Sequence, residues 1–402
     1  MAADAPRPSR LPFAIWALGM VSLFGDVASE MIFSLLPAFL TSELGASALM
    51  VGLIVGMGEA TALTVKIISG PLSDRLGQRK WLALVGYGMA ALMKPFFAIA
   101  GSPLHVLFAH LLDRTGKGIR GAPRDALIAD ITPPSMRGAA YGLRQALDSL
   151  GAILGPLLAL VLMALWANNI RAVFWVAAIP AAISVIILFF GVQEPAGLVK
   201  SSVGNPLART NLRRLPPAFW HVVLFGGLFT LARFNQAFLV LRVQQGGLAL
   251  GHLPMVLVAM NVVYALSAYP LGKLADRMAH KHLLAIGMLL LVSADLLLAH
   301  SNQGYFVWMG VGLWGLHMGA TQGLLAAMVA DTAPTDLRGT AFGVFNLVAG
   351  LALLCSGGTA GLVWDHFGAR YTFIFGASMA LLALVALLIH SQSARKSRKS
   401  QI

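Results

Sequence analysis

Ionisable side chains set inside long apolar runs are the residues here that could do chemistry. Asp26 and Glu30 lie four residues apart in GDVASEM, and Glu59 and Lys66 lie seven apart, so each pair shares one helix face. Asp113, Lys117, Arg120 and Arg124 recur along a single stripe, with Arg114 turned roughly 100° away. Arg144 and Asp148 stand at i,i+4. A charge at mid-bilayer costs on the order of 2.5–3.5 kcal/mol on insertion scales, so each should face a cavity or a partner. Two carboxylates one turn apart resist ionising together, which suits the binding and release of a proton. Asp113 with Lys117, and Arg144 with Asp148, are spaced to neutralise each other instead.

The C-terminal part of the chain is poorer in charge, with Arg233, Asp295 and His317 within its apolar runs. It offers neutral groups: Phe234, Asn235, Gln236, Asn261, Tyr264, Gln322 and Asn346. These could hydrogen-bond a solute, although such groups also hold membrane helices together. The expected division is a charged N-terminal half for proton coupling and a mostly neutral C-terminal half for recognition. A metal substrate through Asp26, Glu30 and His317 lacks a supporting His/Cys cluster. Gly116–Lys117 lacks the other residues of a phosphate loop, and no nucleophile with its base stands out. Neither an enzyme nor a resident cofactor is expected.

The elements that carry these residues follow from composition. Of 402 residues, 58% are hydrophobic and 11% charged, against roughly a quarter charged in a soluble domain. Apolar runs long enough to span a bilayer fall near 12–41, 49–72, 80–101, 103–130, 138–165 and 170–192, then near 217–243, 252–278, 282–301, 305–330, 339–364 and 370–391. The expectation is an all-α integral membrane protein of twelve transmembrane helices. It divides into a six-helix bundle at 1–192, a linker at 193–216, a second bundle at 217–391 and a basic tail at 392–402. The first apolar run is read as a retained helix and not a cleaved leader. Cys355 sits in an apolar run and should pack there.

The formal charge of +13 does not signal nucleic acid, because the basic residues flank the apolar runs. Arg7, Arg10, Arg75, Arg79, Lys80, Arg137, Lys200, Lys273, Arg338 and the basic tail share one side. Arg171, Arg242 and Arg370 lie on the other. By the positive-inside rule both termini and the linker should be cytoplasmic, in an inner or plasma membrane. A monomer, a small-molecule substrate, protons and the lipid bilayer are the expected partners.

A duplication links the halves. IADITPPSMRGAAYG at 128–142 matches VADTAPTDLRGTAFG at 329–343, and GPLSDRLGQRK at 70–80 matches GKLADRMAHKH at 272–282, at nearly the same offset. Two equivalent bundles meet the requirement for rocking about a central site. With these motifs the chain resembles the major facilitator superfamily of secondary transporters. The family's loop signature after the second helix is met by Gly70, Asp74, Arg75, Gly77, Arg79 and Lys80. Its mirror keeps Gly272, Asp276, Arg277 and Lys281, with Ala279 where the second glycine would stand. Arg114 with Gly116, Gly118 and Gly121 loosely resembles the fourth-helix signature. Gly142, Gly151, Gly155 and Pro156 fit a fifth-helix spacing frequent in the family's exporters, with Ala159 for the last glycine.

The resemblance implies alternating access by two pseudo-symmetric bundles, with helices 1 and 4 along a central cavity and helices 3 and 9 outside it. On that basis Asp26 and Arg114 come first as coupling residues, Lys94 and Asp295 are structural, and His317 faces the cavity. The glycines of helix 5 would form a contact that opens and closes. Asp74 would cap the start of helix 11 near Gly339 and hold the cytoplasmic side shut. Proton-coupled export of a small organic compound is the leading expectation. A symporter or facilitator that binds an anion through Arg114, Lys117 and Arg233 is the alternative, ahead of a metal ion.

Overall fold

The computed structural model describes residues 11–194, 209–275, 277–278, 280–300, 304–334 and 337–399. Arg7, Arg10, Lys200, Asp276 and Ala279 lie outside the described residues, as do the side chains of the basic tail. The described chain is all-α and passes back and forth twelve times. The helices are α1 (Phe13–Glu43), α2 (Ala48–Leu76), α3 (Arg79–Ile99), α4 (Pro103–Ile131), α5 (Arg137–Leu165), α6 (Ile170–Gly191), α7 (Pro217–Gln245), α8 (Leu250–Ala275), α9 (His280–His300), α10 in two pieces (Gly304–Thr321 and Leu324–Thr332), α11 (Arg338–Phe367) and α12 (Ala369–Lys399). Among the described residues ten helices are long and apolar enough to cross a membrane. The other two are α4, whose run is broken by charge, and α10, which is interrupted at Gln322–Gly323. Part of the linker is itself helical, at Arg209–Arg213. The tail expected from 392 begins as a continuation of α12.

Local chemistry sets several helix ends. Ser47, Ser102 and Asn169 accept backbone N–H groups at the starts of α2, α4 and α6, donors that have no partner within the helix. Gly77 ends α2 with φ +64°, a left-handed geometry that favours glycine. Glu194 reaches back to the backbone N–H groups of Arg79 and Lys80, both at 2.8 Å, and so caps α3.

Each half packs in the same way. In the first half α5 and α6 lie against α1, and α2 and α3 lie against α4; in the second, α8 and α9 lie against α10. Large apolar side chains such as Leu92 and Phe190 remain exposed on the outside, as a bilayer-facing surface requires. Cys355 joins this exposed surface instead of packing inward.

The halves meet along α2–α11 and α5–α8. At the end away from the linker they are joined. Asp365 at the end of α11 accepts the N–H groups of Ala48 and Leu49, both at 2.9 Å. Gln244 donates to Ser42 at 2.8 Å, and nearer mid-height, where both border a cavity, Asn261 donates to the Ala152 carbonyl at 2.8 Å. Gly52 and Gly357 bring α2 and α11 so close that a Cβ on either would strike the other's carbonyl oxygen. On the linker side the halves stand apart. One crevice there runs between Gly70, Asp74 and the start of α11, and another between Gln145 and the α8–α10 face.

Candidate functional site

Two chambers lie between the halves at mid-height, of about 300 and 460 Å³. They share Glu30, Glu59, Lys117, Gln236 and Gln322 as walls. Their position follows from helix breaks. Regular α-helix stops in α1 after Phe33 and resumes at Leu36, followed by a wider turn at Phe39–Glu43. In α7 it stops at Ala232 and resumes at Ala237. Phe33 and Phe234 occupy equivalent places in the two halves and both border the smaller chamber. Irregular backbone at membrane depth is tolerated where it lines a cavity. Asn235 partly repairs the α7 break, its side-chain oxygen accepting the Ala237 N–H at 2.8 Å.

Most cavity charges from the first half are already partnered. Arg114 lies 3.2 Å from Glu59 and stacks its guanidinium 3.8 Å from the Phe33 ring centre. Arg120 lies 4.0 Å from Asp26 and over the Tyr87 ring. Arg124 donates to Ser22 at 2.9 Å and pairs with Asp125 at 3.3 Å. Arg144 bridges Asp148 and Asp125, which realises the expected i,i+4 pair and extends it to α4. Lys66 joins the wall of the larger chamber beside these groups, its ammonium making no hydrogen bond or contact ion pair among the described residues.

Three charged groups of the smaller chamber are different. Glu30 from α1, Lys117 from α4 and Arg233 at the α7 break all border the smaller chamber. Among the described residues none makes a hydrogen bond or contact ion pair with them. Asp26, expected to lead, already has Arg120; Glu30, one turn on, is the carboxylate left open to the cavity. Across both chambers the wall cations are Lys66, Arg114, Lys117, Arg120, Arg124, Arg144 and Arg233, against the carboxylates Asp26, Glu30, Glu59 and Asp148. Asp125, behind Arg124 and Arg144, narrows that surplus without removing it. In a low-dielectric cleft such an excess attracts anions.

Several expected site residues sit elsewhere. Asp113 does not pair with Lys117: it turns toward α3 and holds Lys94 at 2.7 Å in the buried interior of the first half, with Arg114 at 3.6 Å. The equivalent contact in the second half joins Asp295 and Trp314, whose indole N–H donates at 3.2 Å. His317 faces away from the cavity and is fully buried, its ring Nδ1 2.7 Å from the Gly287 carbonyl. Asn346 borders the linker-side crevice beside Gly70 and Asp74. Asn261 borders the larger chamber but spends its amide on the bond to Ala152. Tyr264, Gln236 and Gln322 do border the cavity, and Gln236 lies 3.6 Å from the Met318 sulfur.

The signature residues resolve into distinct jobs. Gly151 and Gly155 press α5 onto α1, against Leu23, Asp26, Val27 and Glu30. That contact lies within one half, not across the expected moving seam, and Pro156 is buried beside it. Gly142 has open space where a side chain would stand. Asp74 pairs with Arg79 at 3.2 Å, and Arg79 also holds Asp130 at 2.5 Å. At the corresponding place in the second half His280 lies 3.7 Å from Asp331. Asp74 and Gly339 border opposite walls of the linker-side crevice, so the expected cap on α11 is not made in this state. Gly272 borders the second crevice, and Arg277 follows the end of α8.

Sequence spacing overlooked Phe33, whose sequence signal is its alignment with Phe234 in the repeat. Asp365 was also overlooked, because nothing in its own neighbourhood points to the start of α2.

The family model for the Major Facilitator Superfamily matches residues 18–258 and 243–402. A protein of Methanocaldococcus jannaschii described as an uncharacterized MFS-type transporter is 30% identical over 381 residues, covering 93% of this chain and 94% of its own. The multidrug resistance protein MdtH of Photorhabdus laumondii is 31% identical over 127 residues, 32% of this chain and 31% of its own. The crystal structure of a POT family transporter in complex with a thioalcohol-conjugated peptide superposes with a TM-score of 0.81 at 13% identity, covering 94% of this chain and 96% of its own.

Proposed function

The chain belongs to the Major Facilitator Superfamily, and from that premise we propose that it is a proton-coupled secondary transporter of a small organic anion. Membership makes it a multi-pass transporter and not an enzyme. The observation that carries the finer reading is the cation surplus around a cavity shared by both halves, with Lys117 and Arg233 making no contact ion pair among the described residues. Positive-inside charge supports placing the linker side in the cytoplasm, which makes the described state open to the cytoplasm and closed to the outside. Carboxylates that border the same cavity, Glu30 and Asp26 among them, supply the proton-binding groups.

The second reading is proton-coupled export of a small organic compound. The name of the MdtH relative, over about a third of the chain, and the helix 5 glycine spacing favour it. The glycines' use in packing α5 onto α1 leaves that spacing silent on direction. The metal-ion alternative gains no support, since among the described residues no three His, Cys, Asp or Glu side chains converge.

The test is flux through purified protein in liposomes under pH gradients of either sign. The panel is benzoate, methylphosphonate, benzamide and benzylammonium. Saturable, gradient-driven movement of the anions is expected. Movement of benzylammonium or benzamide alone would favour the export reading, and protein-independent flux of every compound would defeat transport of this class.

A further inference from the structure

Among the described residues the smaller chamber holds two cations that face no carboxylate at contact distance and come from opposite halves: Lys117 on α4 and Arg233 at the break of α7. It also holds one such carboxylate, Glu30. We propose that an organic anion bridges Lys117 and Arg233, and that its seating obliges Glu30 to take up a proton, so that anion and proton bind and move together. This rests on the transport reading and deepens it by naming the contact groups and the sign of the coupling.

The argument is electrostatic. The charged groups acting on Glu30 are Lys117 and Arg114 from α4, Asp26 from its own helix and Glu59 from α2. From α5, Arg144 and Asp148 border the same chamber and hold each other; Arg233 is the charge on the opposite wall. Arg114 is engaged by Glu59 at 3.2 Å. Lys117 is therefore the cation available to balance an ionised Glu30. An anion that draws on Lys117 takes that balance away and adds a like charge to the same small chamber. Protonation of Glu30 relieves both effects. Linkage is reciprocal, so a proton on Glu30 raises affinity for the anion by the same factor. A cationic solute in this chamber would produce the opposite sign and exchange against protons.

The bridge also has a conformational consequence. Lys117 and Arg233 belong to different halves, so an anion between them cancels repulsion across the gap that must narrow when the linker side closes. Protonated at Glu30 but without the anion, the cavity leaves both cations uncompensated and resists that closure.

The experiment uses full-length protein in lipid nanodiscs, weakly buffered, with a pH-indicator dye. Benzoate and methylphosphonate are the probes, and benzamide and dimethyl methylphosphonate the neutral controls. Binding is read independently by thermal stabilisation. The expected result is stabilisation by the anions only, with a proton taken up for each benzoate bound; methylphosphonate, which is partly protonated near neutrality, is read for binding alone. Lys117→Gln and Arg233→Gln should each weaken anion binding about tenfold or more, the loss expected for a charge-assisted hydrogen bond, while Lys117→Arg restores it. Glu30→Gln should still bind the anion but without proton uptake and with affinity independent of pH; Glu30→Asp should recover the uptake.

Proton release on binding, unchanged uptake in Glu30→Gln, or wild-type affinity in both cation variants overturns the proposal. So does the lack of any anion-specific stabilisation of the wild-type protein. Melting of each empty variant identifies one that has failed to fold, and the conservative partner then decides. Liposome flux that persists while this linkage fails overturns the anion–proton assignment and leaves transport standing.

Discussion

Lys94 and Asp113 mark how far spacing on a single helix can be trusted. Read along α4 alone, Asp113 has Lys117 four residues on and looks neutralised by it. In the folded chain the boundary of the cavity runs between those two side chains. Asp113 turns to Lys94 on α3 at 2.7 Å, with Ser29 behind the ammonium at 3.3 Å, while Lys117 is left to the cavity. No local pattern could reveal this, because the partner comes from a different helix. The duplication did carry a trace of it: Asp295 and Trp314 occupy the corresponding places and also touch. One contact has thus been kept through the repeat with its chemistry exchanged, an ion pair in one half and an indole–carboxylate hydrogen bond in the other. Removing one member of a buried pair strands the other charge, typically at about 3–5 kcal/mol, whereas replacing both with apolar groups is often close to neutral. Lys94→Met should therefore destabilise the protein strongly, and the double variant Lys94→Met with Asp113→Leu should recover most of the loss. Thermal melting in detergent followed by size-exclusion chromatography measures both. Equal melting of Lys94→Met and wild type would show that the pair contributes nothing.

At the scale of the elements, the helices were legible and their interruptions were not. Apolar run length placed the twelve passes to within a few residues, since the bilayer sets a minimum length and charge or glycine punctuates the ends. The exception is α12, which runs on to Lys399 through the expected tail. The breaks at Ser34–Leu35, at Arg233–Gln236 and at Gln322–Gly323 lie inside runs whose composition still looks helical. Arg233, Phe234, Asn235 and Gln236 were recognised as polar or aromatic cavity candidates, but their irregular backbone was not, because tertiary packing and the Asn235–Ala237 bond stabilise it. The seam between α2 and α11 is similar. Gly52 and Gly357 are unremarkable in sequence, yet their facing backbones leave no room for a Cβ. Close helix approach of this kind depends on small residues. Gly357→Val should force α11 away from α2 at the far end and weaken the state open on the linker side without disturbing either bundle's interior. Spin labels on α2 and α11 in nanodiscs should report a longer far-side distance than in wild type. An unchanged distance distribution would show that the seam tolerates the added side chain.

At the scale of the whole molecule, α2 and α11 form one seam with a carboxylate at each end. At the closed end Asp365 accepts both Ala48 and Leu49 N–H groups, placing a negative charge on the N-terminus of α2. At the open end Asp74, near the end of α2, is held by Arg79 and lies across a crevice from Gly339 at the start of α11. The two arrangements are related: each puts an acid from the end of one helix at the beginning of the other. The fold resists having both caps formed at once, since rocking that closes the crevice at Gly339 must part α11 from α2 at Ala48. A carboxylate on a helix N-terminus contributes about 0.3–1 kcal/mol when exposed and up to about 2 kcal/mol when partly buried. Losing one cap should then shift the ratio of the two states by about twofold to, at most, roughly thirtyfold. We expect Asp365→Asn to raise the population open on the far side and Asp74→Asn to raise the population open on the linker side, with the double variant returning toward the wild-type ratio. The measurement is paired spin-label distances in nanodiscs, with Ala46→Cys and Leu248→Cys on the far side, Gln78→Cys and Lys281→Cys on the linker side, and the exposed Cys355 replaced by serine. Opposite shifts in the two single variants would establish the carboxylates as opposed latches on one lever. Shifts of the same sign, or a double variant displaced further than either single, would mean that the caps act only on the stability of their own helices.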